Sequence, residues 1–162
     1  MAEVGAELGS DVPFFFATPA AWCTGRGERV EPIAPGRTFD FVLVCPPVGL
    51  STAEVFRSVT VPSPALAGDP IRRAAEAGDV EELGRLLHNR LQGPAEGLCP
   101  AVKEAHARLA ALGPAGVLMS GSGSTVFALC RGPGEARRLR RALVPDTDAG
   151  GGARVHSVRS CF

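Results

Sequence analysis

A chain of 162 residues that is 45% apolar has room for one globular unit and an additional segment, because domains usually run to about 100–150 residues. Its 17 basic and 17 acidic side chains balance, which excludes a general electrostatic attraction to nucleic acid or to an acidic membrane, so an anionic ligand has to be held locally. Cys23, Cys45, Cys99, Cys130 and Cys161 are odd in number and without close pairs, which argues against a disulfide framework or zinc site and for reduced, mostly core thiols in a cytoplasmic protein.

No apolar run is long enough to span a bilayer, and Glu3 and Glu7 do not suit a signal peptide. Residues 2 to 8 read as the tail of a helix stopped near Gly9, so the chain is expected to begin in mid-domain. Asp11 to Phe16 follows as an apolar strand in which Pro13 keeps Val12 extended. Ala21-Trp22-Cys23 and Arg29 to Ile33 flank Thr24-Gly25-Arg26-Gly27-Glu28, a predicted hairpin whose glycines supply the turn. Pro32 to Gly36 is a linker, and a domain boundary there divides the chain into 1–36 and 37–162.

Phe39 to Cys45 is a strand closed by Pro46-Pro47. Ser51-Thr52-Ala53-Glu54 has the spacing of a capping box and starts a short helix through Val55 and Phe56. Asp79 to Leu91 places Val80, Leu83, Leu86, Leu87 and Leu91 on one helical face. Pro100 to Leu112 does the same with Val102, Ala105, Leu109 and Leu112. Gly116 to Met119 and Val126 to Cys130 are β-prone runs joined by Ser120-Gly121-Ser122-Gly123-Ser124-Thr125. Glu135 to Leu143 is an amphipathic helix with Ala136, Leu139, Ala142 and Leu143 inward, Asp146 to Gly152 a flexible loop, and Arg154 to Cys161 a last strand. The order is α+β and suits a ferredoxin-like sandwich, an antiparallel sheet covered on one face by helices.

The serine–glycine loop carries the strongest chemical signal. Gly121 and Gly123 allow positive φ and close approach, while Ser120, Ser122, Ser124 and Thr125 offer hydroxyls and amides to an anion. No lysine follows the glycines, and a strand follows where Walker and Rossmann loops have a helix. Serine–glycine turns also serve simply to join strands. Asp11 stands at a corner before apolar residues, either as a turn residue bonding local amides or as a carboxylate tuned to accept a hydroxyl proton. Phe56 is a core ring or a stacking surface. His88, His106 and His156 lack metal-ligand spacing, no metal site is indicated, and Arg137, Arg138, Arg140 and Arg141 read as a solvated helix face.

Read together in this order, Ala6 to Phe15, Gly25-Arg26-Gly27-Glu28, Pro46 to Phe56 and Leu118 to Phe127 resemble the GHMP kinase superfamily. Within it they resemble the family that phosphorylates a hydroxyl of 4-diphosphocytidyl-2-C-methyl-D-erythritol with ATP, in non-mevalonate isoprenoid precursor biosynthesis. The resemblance implies Asp11 as the catalytic aspartate, Thr52 and Phe56 as substrate-binding residues with Phe56 stacking on cytosine, and Ser120 to Thr125 as a loop beside the nucleotide phosphates. It also implies ATP and Mg2+ as cofactors and a C-terminal ferredoxin-like domain preceded by the tail of an N-terminal S5-like domain. The family's catalytic lysine and Pro-x-x-x-Gly-Leu-x-Ser-Ser loop have no counterpart in these residues, so a truncated, inactive form is expected. Asn89-Arg90 stands where the family has Asn-Asp. The alternatives are a GHMP kinase acting on another small molecule and a non-catalytic ferredoxin-like binding module.

Overall fold

The structure is a computed structural model that describes residues 9, 12–17, 20–61, 66–144 and 152–161, with the side chains of 16 and 17 excepted. The order of its elements is α1 (Phe14–Ala17), β1 (Ala21–Thr24), β2 (Arg29–Pro32), β3 (Asp40–Cys45), α2 (Thr52–Arg57), α3 (Asp69–Ala77) and α4 (Val80–Leu86). There follow α5 (Gln92–Leu98), α6 (Pro100–Ala111), β4 (Gly116–Met119), β5 (Val126–Cys130), α7 (Pro133–Leu143) and β6 (Arg154–Arg159).

Strand β3 organises the larger sheet. Its period-two alternation buries Val42 and Val44, and it pairs antiparallel with β5 on one side and β6 on the other, with Val42 opposite Ala128 and Ser157. Strand β4 pairs antiparallel with β5, so the spatial order is β4-β5-β3-β6. The β-α-β-β-α-β sequence in this order is the ferredoxin-like sandwich expected. Asp40, buried at the start of β3, is held by Arg159 Nε of β6 at 2.9 Å.

One face of the sheet presents Val42, Val44, Met119, Val126, Ala128 and Cys130 to Val102, Ala105 and Leu109 of α6 and to Ala136, Leu139 and Leu143 of α7. The opposite face carries Phe39 and Leu129 against Ala74 of α3 and Val80 and Leu83 of α4. Helices therefore cover part of both faces, where the sequence predicts one. Strands β1 and β2 form the expected hairpin as a two-stranded sheet of their own, with Thr24, expected in the turn, paired opposite Arg29. This hairpin rests on α3 through a 2.7 Å ion pair between Glu31 and Arg72 and the ring of Trp22 against Gly68.

Several elements differ from expectation. Phe14–Ala17 is one helical turn instead of strand: Phe15 N donates to Val12 O at 3.2 Å, and Pro13, its φ already helical, starts the turn without losing a bond. The helix beginning at Asp79 ends at Leu86, because Leu87 is extended at φ −54° and ψ 130°. Ala142 is exposed, and of the five cysteines only Cys99 and Cys130 are buried. The helix expected at 2–8 and nearly all of the loop expected at 146–152 lie outside the described residues. Among the described residues no helix is long and apolar enough to cross a membrane.

Candidate functional site

The loop between β4 and β5 is closed at its neck by Ser120 N donating to Thr125 O at 2.9 Å and turned by Gly123 N donating to Ser120 O at 3.0 Å. Gly121 and Gly123 sit at φ +55° and +92°, conformations that side-chain-bearing residues rarely adopt. A Cβ on Gly123 would also meet Met119 Sδ at 2.9 Å and Leu50 Cδ1 at 3.0 Å. The glycines are thus required by backbone shape at one position and by shape and space together at the other.

Two chain segments hold this loop from outside. From 45–52, Thr52 Oγ1 and Ser122 Oγ share a hydrogen bond of 2.9 Å. Ser124 Oγ donates to Val48 O at 2.6 Å and Thr125 Oγ1 to Cys45 Sγ at 3.6 Å. From 89–92, Asn89 Nδ2 donates to the carbonyls of Met119 at 2.8 Å and Gly121 at 2.7 Å, while Asn89 Oδ1 accepts from Leu91 N at 2.9 Å. Gln92 Oε1 accepts from Met119 N at 2.9 Å. Among the described residues the amides of Ser122 and Ser124 donate to no acceptor. The loop carries no charged side chain, so an anion here would be met by amide and hydroxyl dipoles.

Helix α2 brings the other predicted residues to the loop. Ser51 Oγ accepts from Glu54 N at 3.4 Å, the serine half of the predicted capping box. Val55, fully buried, fixes the helix to the core, which leaves Thr52 and Phe56, four residues apart, on a common face. Phe56 keeps 59% of its surface exposed, so the core alternative for this ring does not hold. Asp11 lies outside the described residues. The structure brings Thr52, the helix bearing Phe56 and the loop into one constellation.

The contacts of Asn89 and Gln92 with the loop and the end of β4 were not foreseen from sequence, where Asn89 entered only as part of the Asn89-Arg90 pair. The signal available was a carboxamide within the short stretch 87–91 between two helices and another at the first residue of α5, where local backbone groups need partners. Among the described residues no group of three or more His, Cys, Asp or Glu side chains could hold a metal. Nδ1 of His106 lies 3.9 Å from Glu96, and Arg138 pairs with Glu135 at 3.2 Å.

Residues 71–147 match the family model of the GHMP kinases C terminal. With the sheet order and the loop geometry in hand, the class is plain: the chain carries the C-terminal domain of the GHMP kinases. It is 40% identical over 152 residues to the 4-diphosphocytidyl-2-C-methyl-D-erythritol kinase of Kineococcus radiotolerans, covering 90% of this chain and 47% of that protein. The crystal structure of a 4-(cytidine 5'-diphospho)-2C-methyl-D-erythritol kinase superposes with a TM-score of 0.77 at 36% identity, over 99% of this chain and 57% of that one. The L. major mevalonate kinase, at a TM-score of 0.58 and 18% identity over 80% of this chain and 45% of that one, shares the fold. The chain spans about half the length of the curated relatives it matches.

Proposed function

We propose that this chain forms the C-terminal part, with the catalytic-aspartate segment, of an ATP-dependent kinase that phosphorylates the hydroxyl of 4-diphosphocytidyl-2-C-methyl-D-erythritol. Residues 1–36 then belong to an N-terminal GHMP kinase domain and 37–162 to the C-terminal one. The observation that carries the reading is the 2.9 Å hydrogen bond between Thr52 and Ser122, which joins a helix presenting an exposed aromatic to a loop with unengaged amides. One end suits a flat base and the other a phosphate, the two recognisable parts of a nucleotide-linked substrate and its donor.

In this mechanism Phe56 supplies a π face for the cytosine, a contact that every base can make and that the rest of the substrate makes specific. Thr52 fixes the distance between that ring and the loop. The amides of Ser122 and Ser124 and the hydroxyls around them meet the phosphate oxygens of ATP, the phosphoryl donor. Asp11 accepts the proton of the attacking hydroxyl. Phosphoryl transfer asks mainly for placement and charge stabilisation, so these roles suffice on the acceptor side. Among the described residues the amides and hydroxyls of the loop suit the phosphates of ATP, and no cluster of acidic side chains suits Mg2+.

Two assays test the reading. The purified 162-residue chain alone is expected to transfer no phosphate from ATP to the cytidine-diphosphate polyol, since these residues include no Pro-x-x-x-Gly-Leu-x-Ser-Ser phosphate loop; detectable transfer would contradict that. Joined to the N-terminal half of the Kineococcus radiotolerans relative, the chain is expected to be active. There Asp11→Asn should reduce kcat by on the order of a hundredfold or more with KM little changed. Turnover within a few fold of the parent would return Asp11 to a turn role.

A further inference from the structure

We propose that Asn89 is a positioning residue that aims the Ser122 amide at a bound phosphate; the inference rests on the phosphate-loop reading above. The geometry is that of one carboxamide making three bonds. Its two N–H groups reach the Met119 and Gly121 carbonyls at 2.8 and 2.7 Å, and its oxygen receives Leu91 N at 2.9 Å. Only an amide offers two donors and an acceptor from one planar group; a carboxylate of the same shape would keep the Leu91 bond but set its other oxygen against two carbonyl oxygens.

The consequence follows from peptide planarity. Gly121–Ser122 is not among the cis peptides, so in this trans unit the Ser122 N–H points opposite to the Gly121 C=O. Holding that carbonyl toward Asn89 turns the Ser122 N–H to the other side of the loop, where it has no acceptor among the described residues. The same bond draws a partial negative charge away from an incoming anion. The Met119 peptide differs: its N–H partner, on Ser120, is already spent on Thr125 O at 2.9 Å. Asn89 therefore acts on binding through Gly121. Gln92, which receives Met119 N at 2.9 Å, serves the strand end and is the internal control.

The test uses the 15N-labelled 162-residue chain titrated with sodium pyrophosphate, read from two-dimensional amide spectra beside thermal unfolding. In the parent, the Ser122 amide proton is expected to move downfield and saturate in the millimolar range. Asn89→Ala should weaken the pyrophosphate Kd at least fivefold and abolish the Ser122 shift, Asn89→Ser should fall between, and Gln92→Ala should keep both parent values even where it lowers Tm. A parent-like Kd and Ser122 shift in a folded Asn89→Ala or Asn89→Ser would overturn the role of Asn89 and leave the phosphate loop standing. A parent chain whose loop amides ignore pyrophosphate would overturn both.

Discussion

Phe56 and Val55 are neighbours with opposite fates, one 59% exposed and the other 0%, and the contrast separates binding from stability. Because the Phe56 ring buries little on folding, Phe56→Ala should change unfolding free energy by less than about 0.5 kcal/mol, whereas removing a buried ring costs about 3–5 kcal/mol. In the chain joined to a relative's N-terminal half, the same change should weaken cytidine-substrate binding by about 1–3 kcal/mol. Phe56→Leu should lose nearly as much, since it keeps apolar bulk but not the π face. Calorimetry beside thermal unfolding reads both quantities; unchanged affinity in a stable variant would end the stacking role. At this scale the sequence was partly legible. The glycines at 121 and 123 announced the loop because positive φ restricts residue choice, and Ser51-x-x-Glu54 announced α2. The Thr52–Ser122 bond spans 70 residues and the Asn89–Gly121 bond 32, and no local pattern encodes contacts of that range.

Elements were legible where their apolar face is periodic. Helix α6 buries Val102, Ala105 and Leu109 and α7 buries Ala136, Leu139 and Leu143, spacings that mark one helical stripe. Helices α3 and α5 escape that rule. The first buries only Ala74, too small to stand out, although Asp69-Pro70 at its start and Gly78 in the left-handed conformation at its end, φ +69°, were usable signals. The second contains Gly93, Pro94 and Gly97, which oppose a helix locally and are overridden by burial of Ala95. The hairpin's dock on α3 was likewise invisible, yet it makes a sharp prediction. A Cβ at Gly68 would run into Trp22 Cζ2, so Gly68→Ala must displace the ring or the hairpin, at about 1–3 kcal/mol. The chain has one tryptophan, so its fluorescence reports this contact alone. Gly68→Ala is expected to red-shift the emission and lower Tm; an unshifted spectrum with parent Tm would show that hairpin and α3 are not packed as described.

The whole molecule arranges its reactive groups by the same layering. Burial pushes the Cys130 thiol up to about 11, with Glu135 and Asp40 adding to the effect, and Cys99 is also enclosed, while Cys23 and Cys161 are exposed. Iodoacetamide at pH 8 should therefore modify Cys23 and Cys161 in the folded chain and reach Cys99 and Cys130 only after unfolding, because the thiolate is the reacting species. Early labelling of Cys130, mapped by mass spectrometry, would show that the sheet and α7 are not closed. On the proposed function, this chain supplies the acceptor-side recognition of a kinase for a cytidine-diphosphate-linked polyol. The most direct measurement joins the 162 residues to the N-terminal half of the Kineococcus radiotolerans relative and assays ATP-dependent phosphorylation of 4-diphosphocytidyl-2-C-methyl-D-erythritol, mevalonate and homoserine side by side. Turnover of the cytidine compound alone is expected, lost in Asp11→Asn and weakened in KM by Phe56→Ala. A folded chimera that phosphorylates mevalonate or homoserine instead, or that turns over none of the three, would contradict the proposed function.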